Sequence, residues 1–224
     1  MSVKIFYDIM SQPARSVLMF VRTNKIPYTP CPIAMRKFEH QSEEYAAVNP
    51  MKKIPAMQDG DFKLTESIAI VKYLQSKYAC PDHWYPADLK ARARVDEYLA
   101  WQHMNTRLNV AKVFLKQVIF PRMTGTPPDP AALAPDIQRM EETLDNIETY
   151  FLRDKPFLCG DDISIADLFG VNEVIQIEPC GYGTIDRRPK LKAWIGRVRE
   201  RVQPEIFDDV CQLIYKLAKT KPKL

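Results

Sequence analysis

The chain has 224 residues, 46% of them hydrophobic and 27% charged, with a formal net charge of +4. That length can bury a substantial core in one or two domains. The mild charge argues against a nucleic-acid partner, no run approaches the ~18 apolar residues of a membrane span, and the opening MSVKIFYDIM lacks the apolar stretch of a signal peptide. Five scattered cysteines (Cys31, Cys80, Cys159, Cys180 and Cys211), with no C-x-x-C and only three histidines, argue for reduced thiols in the cytoplasm rather than disulfides or a metal site.

Val3 to Tyr7 alternates and is β-rich, so it reads as the first strand. Asp8 to Pro13 turns into a helix whose buried face is Val17, Leu18, Phe20 and Val21, ending at Asn24-Lys25. A second strand follows from Ile26-Pro27-Tyr28 to about Ala34, parallel to the first because a helix separates them. Met35 to Val48 reads as irregular, with a short helix near Ser42 to Ala47. Asp59-Gly60 then suits a type I′ hairpin turn between two short antiparallel strands. Thr65 reads as a helix N-cap with Glu66 and Ser67 in the first turn, and Ile68, Ile70, Val71 and Leu74 give that helix its apolar face. Free N–H groups at a helix start favour anions. Ser67 there suits a carboxylate and Glu66 an amine, although cap and turn chemistry alone would also account for both.

The pattern changes after Tyr78. Cys80 to Asp88, with Pro81 and Pro86, reads as a linker, and nearly everything beyond is helical. Leu89 to about Ile119 reads as one long helix and Phe120 to Pro135, with five prolines, as a loop. Asp136 to Phe151 is a second long helix. Ser164 starts a third, with Asp167 completing a capping box, Ile163 and Leu168 forming a hydrophobic staple, and Pro179 ending it. Two more helices follow near Pro189 to Val202 and Pro204 to Lys219. The basic tail, with Lys216, Lys219, Lys221 and Lys223, reads as a solvated end. The expected organisation is an α/β domain of order βαβ-ββα over 1–79, a linker over 80–88 and an all-α domain over 89–224.

This order resembles the cytosolic glutathione transferases over essentially the whole chain. Asn49-Pro50, Ile54-Pro55-Ala56 and Leu64-Thr65-Glu66-Ser67 are similar to that family's glutathione-binding core, and Ser164-Ile165-Ala166-Asp167 to the folding motif of its helical domain. Ser11-Gln12-Pro13-Ala14-Arg15, Trp84-Tyr85-Pro86 and the run Ala91 to His103 resemble the theta class. The resemblance implies a thioredoxin-like N-terminal domain, glutathione as co-substrate with no other cofactor, small electrophiles as second substrates, and a homodimer with no nucleic-acid or membrane partner.

The reaction so implied is attack by the glutathione sulfur on an electrophile such as a halide, an epoxide or an organic peroxide. A free thiol of pKa ~8.5 is only about 3% ionised at pH 7, and a shift of ~2 units, about 2.7 kcal/mol, raises that to about three quarters. One charge-assisted hydrogen bond, worth ~1.5–3 kcal/mol, can supply most of it. The resemblance assigns that donor to Ser11, which spacing alone would read as an N-cap, and leaves Tyr7 structural, although other classes use a tyrosine at this strand end. It implies a cis Ile54-Pro55 bond that presents the Ile54 backbone to the cysteinyl part of glutathione. His40 and Lys53 then match groups that hold the glycyl carboxylate, and Gln41 stands where theta relatives often carry a basic residue. Glu66 and Ser67 match the γ-glutamyl contacts, and Gln12 adds a backbone contact. The electrophile site is expected between the domains, lined by Met10, Met35 and Arg107, and more open than in relatives with a longer C-terminal segment. Two other readings remain: a non-catalytic carrier or docking protein of the same fold, and a thiol oxidoreductase. The second needs a cysteine near position 11, and Ser11 to Ala14 has none.

Overall fold

The computed structural model describes residues 2–220. Lys221 and Lys223 of the basic tail lie outside them, as does any course of the tail across the site. Four strands form one sheet in the order β2-β1-β3-β4, with β1 at Val3–Tyr7, β2 at Tyr28–Pro32, β3 at Ala56–Asp59 and β4 at Phe62–Leu64. β1 and β2 are parallel, with Val3 opposite Tyr28 and Tyr7 opposite Pro32, because α1 (Gln12–Thr23) supplies the crossover. β3 runs antiparallel to β1 and to β4.

The hairpin differs by one residue from expectation. Asp59 pairs with Phe62, so Gly60 and Asp61 form the loop. Only Gly60, at φ 59°, is left-handed, which is the demand of a type II′ turn rather than type I′. Between β2 and β3 lie two 3-10 turns, Met35–Lys37 and Glu39–Gln41. The short α2 (Glu43–Ala46) follows, capped by Ser42, whose Oγ accepts from the Tyr45 N–H at 3.1 Å. α3 (Ser67–Lys77) begins one residue later than Thr65 would set it: Glu66 occupies the cap position.

The helical unit opens with α4 (Leu89–Trp101), capped by Asp88. The expected continuous helix to Ile119 is broken. Asn105 leaves helical geometry at φ −120°, ψ −89°, and its side-chain amide donates to the Trp101 carbonyl at 2.9 Å, a local bond of the kind that competes with the helix ladder. Helical winding resumes as wide π-type turns at Thr106–Val110 and Leu115–Ile119, enclosing α5 (Ala111–Phe114).

The proline-rich stretch is not a loop throughout. α6 (Phe120–Thr124) carries Pro121 in its first turn, and α7 (Pro130–Asn146) starts on Pro130 with Asp129 as its cap. First-turn N–H groups have no intrahelical partner, so proline costs little there. Pro135 lies inside α7. Asp136 is therefore not a helix start. Its buried carboxylate takes Lys112 and Lys116 instead, both at 2.7 Å.

α8 (Ile165–Val174) is buried at every residue. The Asp167 carboxylate accepts from the Ser164 N–H and the Leu158 N–H, both at 2.9 Å, and from the Trp194 indole at 2.8 Å, so the helix start is tied to two other segments. A 3-10 stretch, Ile175–Cys180, carries the chain past Pro179 to a left-handed Gly181. α9 (Pro189–Val202) and α10 (Pro204–Lys219) match expectation. All five cysteines are unpaired. Among the described residues no helix is long and apolar enough to cross a membrane.

The seam between the two units runs along α1. Pro13 to Val21 are buried without interruption, as in a helix enclosed on all sides. α1 packs on α3 within its own unit and on α8, α9 and α10 across the seam.

Among the glycines, the tightest surroundings are those of Gly170 in α8. A Cβ there would stand 2.7 Å from the Tyr98 hydroxyl, 2.8 Å from Leu158 Cδ1 and 3.2 Å from the Trp194 ring. Gly170→Ala should therefore destabilise the protein by about 1–3 kcal/mol through overpacking, although alanine is the better helix former by ~1 kcal/mol. Chemical denaturation measures this, and a stabilised variant would contradict the packing.

Candidate functional site

The turn from β1 into α1 is fixed by a carboxylate and a guanidinium. Asp8 accepts from the Met10 N–H at 2.9 Å and from the Met35 N–H at 2.8 Å, so it joins this turn to the segment after β2. Arg15, fully buried, donates to the carbonyls of Ile9 at 2.9 Å and Met10 at 3.3 Å. Its other donors reach across the seam to the Asn172 Oδ1 at 3.0 Å and the Asn172 carbonyl at 2.9 Å. Burial lowers its pKa, yet a guanidinium starts so high that it remains charged.

Ser11 caps α1. Its Oγ accepts from the Ala14 N–H at 3.4 Å and donates to the Ile54 carbonyl at 3.3 Å. Both bonds are long, and the residue is 6% exposed. Tyr7 is half-buried on β1, and burial, followed by Tyr28, raises its pKa, which opposes ionisation of the phenol.

The second wall comes from 49–67. Buried Asn49 donates to the Lys53 carbonyl at 2.7 Å and accepts from the Met51 N–H at 3.0 Å. The Tyr45 hydroxyl donates to the same Lys53 carbonyl at 2.7 Å; burial pushes that phenol up to about 12, keeping it a donor. These bonds hold the chain at the entry to the cis Ile54-Pro55 peptide. Glu66 has φ 64°, ψ 107°, a left-handed conformation costly for a residue with a Cβ and typical of functional sites. His40 stacks on Phe38 with ring centroids 6.3 Å apart, and its Nδ1 is buried without a hydrogen-bond partner.

Between the units lies a cavity of about 280 Å³. Lys53, Ile54, Glu66 and Ser67 line it from the sheet unit, and Gln102, His103, Arg107, Phe169 and Glu173 from the helical unit. It thus unites five of the residues singled out in the sequence: Lys53, Ile54, Glu66, Ser67 and Arg107. Ser11 is not among the lining residues but donates to the carbonyl of Ile54, which is. Gln12, His40, Met10 and Met35 are not among the lining residues. Arg107 donates to Glu173 at 3.0 Å, with the guanidinium side chain 42% exposed and the carboxylate side chain 4%. Burial raises the Glu173 pKa, and the charges of Arg107 and Arg15 oppose that rise. Glu173 also accepts from the Gln176 amide at 2.8 Å, and Gln176 accepts from Gln12.

Sequence reasoning missed Arg15, Asn172, Glu173 and Gln176 as site-building residues. The signal was present: Asn172, Glu173 and Gln176 interrupt an otherwise apolar run from Leu168 to Ile177, and polar groups within a buried helix need partners. The helix break beside Gln102 and His103 was not legible, because it depends on the side-chain bond of Asn105.

Residues 1–76 match the family model of the glutathione S-transferase N-terminal domain, and residues 104–201 that of the C-terminal domain. The chain is 43% identical over 216 residues to human glutathione S-transferase theta-1, covering 96% of this chain and 90% of that protein. It is 39% identical over 212 residues to mouse glutathione S-transferase theta-2, covering 95% and 85%. Human glutathione-S-transferase T1-1 in its apo form superposes with a TM-score of 0.94 at 42% identity, covering 99% of this chain and 92% of that one. A human theta-class enzyme in complex with the glutathione conjugate of 1-menaphthyl sulfate superposes with a TM-score of 0.92 at 37% identity, covering 98% and 89%.

A lysine ammonium cannot span the four acceptors that the Arg15 fork reaches. Arg15→Lys should therefore destabilise the protein by about 2 kcal/mol or more, because buried acceptors are left unpaired. Urea unfolding followed by fluorescence measures it, and unchanged stability would contradict the bridging role.

Proposed function

The chain belongs to the theta class of the glutathione S-transferase family, and we propose from that premise that Ser11 holds the glutathione sulfur as a thiolate for attack on small electrophiles. The observation that carries this reading is the cavity between the units, which opens beside the Ser11–Ile54 contact and collects Lys53, Ile54, Glu66 and Ser67 on one wall. In this reading residues 1–79 bind glutathione, 80–88 link, and 89–224 supply the electrophile wall.

Glutathione's three parts divide among these groups. Glu66 takes the γ-glutamyl amine, and Ser67, at the start of α3, takes its carboxylate with the help of the free N–H groups there. Lys53 and His40 take the glycyl carboxylate. The cysteinyl N–H donates to the Ile54 carbonyl and Gln12 adds a backbone contact. That exchange has a chemical consequence. The Ile54 carbonyl accepts the Ser11 hydroxyl hydrogen in the free protein; once it accepts the cysteinyl N–H instead, that hydrogen is released to donate to sulfur. The Ala14 N–H stays on the Ser11 oxygen and polarises the hydroxyl toward its ligand. Ser11 donates and never attacks.

Arg107 lies on the opposite wall as a cation for a departing anion, with Met10 and Met35 bordering the turn. The substrate class is halides, epoxides, sulfate esters and organic peroxides, the last giving glutathione peroxidase activity. The sulfate-ester member follows from the conjugate held by the human theta-class relative. We further assign a cytoplasmic homodimer, joined through the sheet unit of one copy and the helical unit of the other.

A glutathione-dependent turnover panel over alkyl halides, organic peroxides, chlorodinitrobenzene and 1-menaphthyl sulfate tests the class. Tight glutathione binding with no turnover on any of them would favour a non-catalytic carrier of the same fold. Ser11→Ala should lower kcat at pH 7 by about tenfold or more, with glutathione affinity within about twofold, since the lost interaction acts on the thiolate. The deficit should shrink as pH rises past ~8.5, where a thiol ionises unaided. A pH-independent loss, or none, would remove Ser11 from this role.

A further inference from the structure

We propose that Glu173 is a positioning residue for the transferase reaction, holding Arg107 at the cavity wall so that the guanidinium meets the negative charge developing on a departing group. The inference rests on the reading of this cavity as the electrophile site.

Glu173 lies on a helix buried at every residue. A carboxylate there is costly unless both oxygens are engaged. Its Oε1 takes Arg107 and its Oε2 takes Gln176, and Gln176 is held in turn by Gln12. The carboxylate is therefore fixed from two sides. A continuous polar chain runs from Gln12, the neighbour of Ser11, through Gln176 and Glu173 to Arg107. The hold on Arg107 is single-point, through one terminal nitrogen at 3.0 Å. Among the described residues the other guanidinium nitrogens have no partner, and the side chain is 42% exposed. They remain free to donate to a ligand in the cavity.

Two consequences follow from this geometry. Arg107 sits just past a break in the chain's helical winding, on a wide turn, and is long and flexible. Without the anchor it regains rotamer freedom and leaves the wall for solvent. With the anchor the pair is neutral overall, so it does not hold a standing anion strongly. Its free donors act instead where charge develops, which favours the transition state over the ground state. The class of ligand is a leaving group that departs as an anion, such as sulfate or halide.

The test is a double-mutant cycle of Arg107→Gln and Glu173→Gln, with glutathione-dependent turnover measured on whichever substrate of the panel carrying an anionic leaving group the wild-type protein turns over fastest. Glu173→Gln alone should lower kcat about tenfold while KM for glutathione moves less than about twofold. In the Arg107→Gln background it should lower kcat by less than about twofold, because the residue it positions is gone. Thermal melting gives a second readout. Arg107→Gln strands a buried carboxylate and should lower Tm, and adding Glu173→Gln should restore it. An equal loss from Glu173→Gln in both backgrounds would mean a purely structural role and overturn the proposal. Full kcat in Glu173→Gln with a loss in Arg107→Gln would overturn it while leaving the electrophile site in place. Full kcat in Arg107→Gln would remove both Arg107 and Glu173 from the reaction. Absence of turnover on every such substrate would overturn the reading of the cavity, and this proposal with it.

Discussion

One buried guanidinium decides where the β1–α1 turn sits. Arg15 lies in the first turn of a helix enclosed on all sides, and its planar fork satisfies acceptors from two different units at once: the Ile9 and Met10 carbonyls in the turn before Ser11, and the side chain and backbone of Asn172 on α8. A cation in that place is costly by itself, since burial disfavours the charged form. The cost is offset only while all four acceptors are in position, so the pair of units and the turn are fixed together. The Ser16 hydroxyl donates to the Leu168 carbonyl and accepts from the Asn172 amide, which strengthens the same seam.

From that anchor the cavity follows. The β1–α1 turn is held on one side by Arg15 and on the other by Asp8, which takes the amides of Met10 and Met35. The facing segment is held by Asn49 and Tyr45, both donating to the Lys53 carbonyl just before the cis Ile54-Pro55 bond. Two segments 43 residues apart are thus placed so that Ser11 and Ile54 meet. Neither depends on loop flexibility for its position, since each is tied by buried polar groups whose partners cannot be exchanged for water without loss. The helical unit closes the space with Phe169, Glu173 and Arg107, and α8 carries both the seam residue Asn172 and the wall residue Glu173. Packing and site are therefore built from one helix.

Much of this was legible in the chain. The parallel βαβ start, the antiparallel hairpin and the last two helices follow from alternation, crossover length and proline at first-turn positions. Glu66 and Ser67 read both as a pair suited to a ligand with an amine and a carboxylate and as ordinary cap and turn chemistry; in the structure both line the cavity, and Glu66 holds a left-handed cap conformation where Thr65 was the expected cap. What failed did so where a side chain competes with the backbone or a proline is tolerated. Asn105 breaks the long helix by bonding the Trp101 carbonyl. Pro121, Pro130 and Pro135 sit within helices instead of excluding them. The polar network of Gln12, Gln176, Glu173 and Arg107 joins residues up to 164 positions apart, a distance at which local pattern carries no information. The polar interruptions of α8 were the one trace it left in the sequence.

The proposed chemistry asks little of this scaffold: one hydroxyl hydrogen, released from a carbonyl and turned onto sulfur, would supply most of the ~2.7 kcal/mol that a two-unit fall in thiol pKa requires. The direct measurement is a pH titration of the bound glutathione thiol by its ultraviolet thiolate absorbance, in the wild-type protein and in Ser11→Ala. The account requires the bound thiol to ionise about two units below the free value in the wild-type protein, and to return toward the free value in the variant. A bound thiol that titrates as it does in free solution, or one whose titration is the same with and without the Ser11 hydroxyl, would contradict it.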